Sequence, residues 1–266
     1  MYVERYGSGP DAYFALHGWS GDHRTFEPLA AYLPSNVSLY SADLPGYGKS
    51  PAPRSWELSI IAEEISAAIN SIEAHGVTLV GNCSGANLSL FAAQRLGTRI
   101  RRFVLIDPFA YMPWYFKLFL AKSFGRYAYL TTFANPLGRR LTNLSLKGHR
   151  TAKSDLTNSF ARVNHEVTYN YLSLLGEVDD IAQFSGLNMP IDIAYGAHTF
   201  GAVKKSVALW QSIWPQARAW QLEGAGHLPI EEATAQLCEI VFKDEEGERK
   251  SEVGRRKDER AAMQDA

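Results

Sequence analysis

The chain predicts an α/β architecture in which a mostly parallel sheet is covered by helices on both faces. Three observations carry this. Short apolar runs rich in β-branched and aromatic residues alternate with helical patterns along most of the 266 residues. A chain of this length can bury roughly 70–75% of its unfolded surface, so it needs no covalent staples. It contains only two cysteines, Cys83 and Cys238, which excludes a disulfide-built scaffold and any zinc site with several thiolates.

The strand candidates are 12–17 (AYFALH), 37–42 (VSLYSA), 77–81 (VTLVG), 103–106 (FVLI), 191–195 (IDIAY) and 218–222 (RAWQL), with 2–6 pairing at an edge. Between them fall helical patterns near 24–33, 58–74, 84–96, 202–213 and 231–242, bounded by Pro34, Gly76, Gly97 and Pro215. Strands separated by helices of this length imply parallel crossovers. The stretch 108–186 interrupts the alternation and reads as a helical cap inserted into a core made of 1–107 and 187–242. Residues 243–266 form a tail in which fourteen of the eighteen residues from 243 to 260 are charged, and it is expected to be disordered.

A net charge of −1 excludes a general affinity for nucleic acid, and 46% hydrophobic residues exclude a disordered chain. The first residues lack the basic and apolar segments of a signal peptide, so the cytoplasm is the expected compartment. Pro113 and Lys117 break the apolar stretch that follows Asp107, which therefore cannot be a plain transmembrane helix. No sequence feature fixes an oligomeric state. Charge is uneven, however. Between Asp107 and Asp155 no acid occurs, while Lys117, Lys122, Arg126, Arg139, Arg140, Lys147, Arg150 and Lys153 supply eight cations. The front of this block is also aromatic, with ten aromatic residues among the 25 from 109 to 133.

The segment Gly81-Asn82-Cys83-Ser84-Gly85 joins an apolar strand directly to a helix. Small residues on either side let the chain turn sharply enough to present the Cys83 side chain at the top of the sheet. Amides at a helix start can face a developing oxyanion, and the helix dipole favours a thiolate. Three more segments accompany this one: His17-Gly18-Trp19, Asp43-Leu44-Pro45-Gly46-Tyr47-Gly48-Lys49-Ser50 and Gly226-His227-Leu228-Pro229. In that order and spacing the four resemble the α/β-hydrolase superfamily over about residues 10–242. They are most similar to the esterase branch that includes the pimeloyl-carrier-protein methyl ester esterases.

The resemblance implies an α/β-hydrolase fold and assigns roles position by position. Cys83 takes the nucleophile position, where the family usually has Ser; His227 is the general base; and the amides of Trp19 and Ser84 form the oxyanion hole. The family acid after the penultimate strand falls on Thr199 in Gly196-Ala197-His198-Thr199, which cannot carry charge. Asp107, at the end of the 103–106 strand, is the replacement candidate, because some relatives keep their acid there; its alternative is a turn cap ahead of Pro108. Asp192, inside a strand, is the poorer candidate. His198, beside the vacant acid position, is a possible site residue. His17, His23, His75, His149 and His165 are expected to be structural, and no metal or other cofactor is expected. Pro45-Gly46-Tyr47-Gly48 does not open a helix as a phosphate loop would.

The expected activity is hydrolysis of an acyl ester or thioester through acyl-Cys83. An aromatic cap suits an apolar acyl group, and the cations suit an acyl carrier protein or coenzyme A as its bearer. The alternatives are a non-catalytic binding protein on the same fold, and an acyltransferase or cofactor-free oxygenase.

Overall fold

The computed structural model describes residues 1–178 and 180–243, so the predicted charged tail beyond Lys243 lies outside the described residues. Seven strands, β1 (Val3–Tyr6), β2 (Asp11–Leu16), β3 (Val37–Ala42), β4 (Val77–Asn82), β5 (Ile100–Ile106), β6 (Ile191–Gly196) and β7 (Arg218–Leu222), form one sheet. Its order is β1-β3-β2-β4-β5-β6-β7, and every neighbour pair is parallel except β1 with β3.

Alternation along the strands divides the core between two faces. In β2, Phe14 and Leu16 face one layer while Tyr13 and Ala15 face the other. The first layer is filled by α1 (Leu58–Asn70), α2 (Ser84–Leu96) and α7 (Gly201–Ile213), with Ile61, Ile65 and Ile69 at four-residue spacing on α1. The second is filled by the 3₁₀ helix His23–Tyr32 and by α9 (Thr234–Val241), through Phe26, Leu29 and Leu237. Full burial of side chains such as Phe14 or Ile65 contributes about 1.5–3 kcal/mol each.

Three elements depart from the sequence reading. Pro28 lies inside the first predicted helix, which forms as a 3₁₀ helix. The strand expected at 103–106 begins three residues earlier because Arg102, 97% buried, enters the sheet paired with Asp192. The last predicted helix divides into α8 (Pro229–Glu232) and α9.

Between β5 and β6 run α3 (Trp114–Lys117), α4 (Gly125–Tyr129), α5 (Pro136–Ser145) and α6 (His165–Gly176), joined by shorter turns. Tyr129, Phe133, Phe160 and Leu172 give this insertion a small core of its own, against which Trp19 packs. The register aligns Leu16 with Gly81, Asn82 with Ile106, and Ile106 with Ala194. The chain therefore leaves β2, β4, β5 and β6 along one edge, delivering His17, Cys83 and Asp107 to the same end of the sheet.

Candidate active site

Cys83 occupies the single residue between β4 and α2, with φ 51° and ψ −118°. A non-glycine residue in such a conformation costs on the order of 1–3 kcal/mol and persists only where its surroundings impose it. Here its amide donates to Ile106 O at 2.7 Å and its carbonyl accepts from Ala86 N at 3.1 Å. The flanking glycines are steric necessities: a Cβ on Gly81 would lie 2.4 Å from Ala86 Cα, and one on Gly85 would lie 2.2 Å from His17 O. Cys83 is half-buried and lines the cavity described below.

Among the described residues, Asp107 is the other non-glycine residue at positive φ, 48°, immediately after β5. Its side chain is fully buried and accepts three hydrogen bonds. Oδ1 takes the amide of Gly196 at 3.0 Å; Oδ2 takes the Thr199 hydroxyl and, at 2.7 Å, Nδ1–H of His227. The expected acid–histidine contact is thus present. Thr199, dismissed by the sequence reading because it cannot be charged, proves to be the missed participant. Its hydroxyl fills the place where the family acid would stand, donates to Asp107 and lies 3.2 Å from His227 Nδ1. The signal was available in the need of a buried carboxylate for donors.

With Nδ1–H directed at Asp107, His227 turns Nε2 toward Cys83. Burial disfavours charge on the imidazole, but hydrogen bonds to Asp107 and Cys83 overcome it and push the histidine pKa up to about 10. The His227 loop is held from two sides. Its amide donates to His149 O at 2.8 Å, and the amide of Gly226 donates to Glu232 at 2.6 Å. A Cβ on Gly226 would lie 2.1 Å from His149 O, so only glycine admits this approach. The Phe200 ring lies between the two histidines, tilted against His149 at 4.5 Å and edge-on to His227 at 4.7 Å.

Among the described residues the Trp19 amide has no hydrogen-bond acceptor, and Ser84 heads α2, where an amide lacks a carbonyl four residues back. Trp19 is fixed through its side chain, Nε1 donating to Thr168 O at 2.7 Å, and through its carbonyl, which accepts the Tyr47 hydroxyl. His17 is structural as expected. Its Nε2 accepts from Leu44 N at 3.0 Å, which leaves Nδ1–H to donate to Gly18 O at 2.8 Å, and burial lowers its pKa.

Other candidates are not brought to the site. His198 is exposed, does not line the cavity and contributes only a carbonyl to His149 Nδ1. Asp192 is committed to Arg102, Arg218 and Trp220; burial would raise its pKa, yet these donors hold it below the usual carboxylate range. Asp22, His23 and Asp43 bring ligand atoms within 4.8 Å of one another, a metal-compatible grouping that sequence spacing had not suggested. Asp43 is engaged there by His23 and by the Lys49 amide, and Asp22 by Arg24.

Over Cys83 and His227 lies a cavity of about 690 Å³, a size that suits a small molecule. The insertion and the core share its lining, which includes Phe109, Phe116, Phe119, Phe160, Leu172 and Phe200. The aromatic block therefore has three fates. Tyr129 and Phe133 build the insertion's core, Phe109, Tyr115 and Phe116 line the cavity, and Trp114, Phe124 and Tyr127 face outward. The cations divide as well: Arg139 and Arg150 are tied to nearby carbonyls, Lys153 joins the lining, and Lys117, Lys122, Arg126, Arg140 and Lys147 are exposed.

A model of a family described as "alpha/beta hydrolase fold" matches residues 14–234. The chain is 28% identical, over 255 residues, to a pimeloyl-[acyl-carrier protein] methyl ester esterase of Aeromonas hydrophila, covering 90% of this chain and 96% of that protein. Among solved structures, a thermophilic esterase from Thermogutta terrifontis superposes with a TM-score of 0.73 at 17% identity, covering 91% of each chain. An enol-lactonase from Burkholderia xenovorans superposes with a TM-score of 0.67 at 18% identity, covering 91% of this chain and 94% of that one. At these identities the structural likeness establishes the fold.

Proposed function

Because the chain belongs to the alpha/beta hydrolase fold family, we propose that it hydrolyses acyl esters or thioesters through an acyl-cysteine formed on Cys83. The observation that carries this reading is the continuous hydrogen-bonded line from Thr199 and Asp107 to His227, whose second nitrogen serves Cys83. A decayed, non-catalytic site would not need a relocated buried acid with three donors.

In the proposed reaction, the Cys83 proton already rests on His227 Nε2, where the bonds to Asp107 and Cys83 hold it, and Sγ attacks the acyl carbonyl. The carbonyl π pair moves onto oxygen, which the amides of Trp19 and Ser84 receive. Collapse breaks the bond to the leaving oxygen or sulfur, and that atom takes the proton from His227. Water then loses a proton to His227 and attacks the thioester carbonyl; collapse breaks the C–S bond, releases the carboxylic acid and leaves the proton on His227 beside Sγ. Asp107 keeps Nδ1 protonated throughout and balances the imidazolium. No step calls for a cofactor.

The substrate class follows from the lining: residues 108–186 act as a cap whose aromatic side chains receive an apolar acyl group. The carrier-linked substrate in the name of the Aeromonas relative supports an acyl chain borne on a carrier or on coenzyme A. Charge at the cavity is mixed, however, since Lys153 and Arg162 share it with Asp155 and Glu231. The test is a series of p-nitrophenyl esters and matched acyl thioesters from two-carbon to long chains. kcat/KM should rise with chain length and vanish in Cys83→Ala. A preference for the shortest acyl group, or full activity in Cys83→Ala, would overturn the assignment.

A further inference from the structure

Among the described residues eight large apolar side chains are exposed, and seven of them lie between 114 and 144: Trp114, Leu118, Phe124, Tyr127, Leu137, Leu141 and Leu144. Trp114 and Tyr127 are 72% and 76% exposed. Such clustering is unusual on a free surface and marks an interaction site.

The pattern is sharpest on α5. Leu137, Leu141 and Leu144 recur at helical spacing on one face, and all three are exposed. On that face Arg140 is exposed beside them, and Lys147 follows just past the helix end. On the opposite face Arg139 is bound to the carbonyls of Phe133 and Ala134, while Thr142 and Leu146 line the cavity. The helix is a thin wall with substrate space behind it and an apolar, cationic surface in front. Leu118 belongs both to the exposed group and to the cavity lining, so the surface reaches the cavity itself.

From this juxtaposition we infer that the outer face of α5, with the 114–127 stretch, docks on an anionic lipid surface. Charge supplies the complement: six exposed cations from 117 to 153 and no acid from 108 to 154. Lipid suits the apolar part better than an acidic protein does. Steering of an acidic protein needs only the cations, and lysine is depleted in protein interface cores. Tryptophan, tyrosine and leucine interleaved with lysine and arginine are the composition of a helix lying at a headgroup boundary. Docking there would hold the cavity over apolar acyl substrates partitioned into the bilayer. The inference goes beyond the hydrolase reading and is tested separately from it.

The experiment is vesicle flotation of the full chain with phosphatidylcholine alone and with about one-third phosphatidylglycerol. The protein should float with the anionic vesicles, release as salt shortens the Debye length from about 10 Å at 0.1 M to about 3 Å at 1 M, and ignore the neutral ones. Leu137→Ser/Leu141→Ser/Leu144→Ser and Arg140→Glu/Lys147→Glu should each weaken binding by roughly tenfold or more. Both variants should keep the parent's melting temperature and its turnover of a small soluble ester. Absence of flotation, or flotation that survives either variant, overturns the inference. Binding of an acidic acyl carrier protein that is lost in Arg140→Glu, without vesicle binding, also overturns it, in favour of a protein partner.

Discussion

Replacing Asp107 by Asn keeps the shape of the side chain and reverses the sign of one contact. The amide oxygen can keep the Gly196 N–H, which Asp107 now accepts at 3.0 Å. The amide NH₂ then faces the Thr199 hydroxyl and His227 Nδ1, both of which donate to the carboxylate in the parent. His227 can restore a bond only by moving its proton to Nε2, and that tautomer presents hydrogen to Cys83 and cannot accept one. A lost charge-assisted hydrogen bond is worth about 1.5–3 kcal/mol, or roughly ten- to 150-fold in rate, before the wrong tautomer is counted. kcat/KM for a p-nitrophenyl ester should therefore fall by about 10²–10⁴. Asp192→Asn is the matched control. It removes an equally buried carboxylate that is bonded to Arg102 and Arg218, so it should lower the melting temperature and leave kcat/KM of the folded protein near the parent's. Asp107→Asn retaining more than about a tenth of the activity would refute the reasoning; so would equal rate losses in the two variants.

Two other outcomes follow from the same geometry. Iodoacetamide at neutral pH should alkylate Cys83, which lines the cavity, well before Cys238, whose thiol is buried against the sheet and pushed up to about 12 by that burial; equal labelling of the two would contradict this. His227 is held at about 10 in the folded protein, through Asp107 and Cys83 and against burial, compared with 6.5 for a free imidazole, so its contribution to stability is complete below 6.5 and is lost as pH rises toward 10. The melting-temperature difference between the parent and His227→Gln should shrink over that window, and a difference that grows with pH would show the imidazole to be neutral there.

Much of the fold was legible because strand periodicity and turn residues agree along the core: β3 matches its predicted bounds, and β7 does as well. β5 was cut short because hydropathy cannot show that Arg102 is buried against a carboxylate ninety residues away. Around the site, Cys83 was readable from its own turn, His227 and Asp107 followed only from the family resemblance, and the structure brings the three together. Thr199 was misjudged because its role comes from proximity to Asp107, which no local pattern encodes. His198 was overvalued for the converse reason: its neighbour in sequence reaches the site, while its own side chain points to solvent. Nothing in the sequence tells which face of α5 is covered, and only the structure shows its leucines turned outward.

The central claim is that Cys83 forms a covalent acyl intermediate, and intact-mass spectrometry after rapid acid quench tests it most directly. Mixed with an excess of a medium-chain p-nitrophenyl ester, the parent should gain the mass of one acyl group within the first turnover, with peptide mapping locating it on Cys83. Cys83→Ala should gain none and release no p-nitrophenol above the uncatalysed rate. An unmodified parent at every quench time, with Cys83→Ala still turning the ester over, would contradict the account.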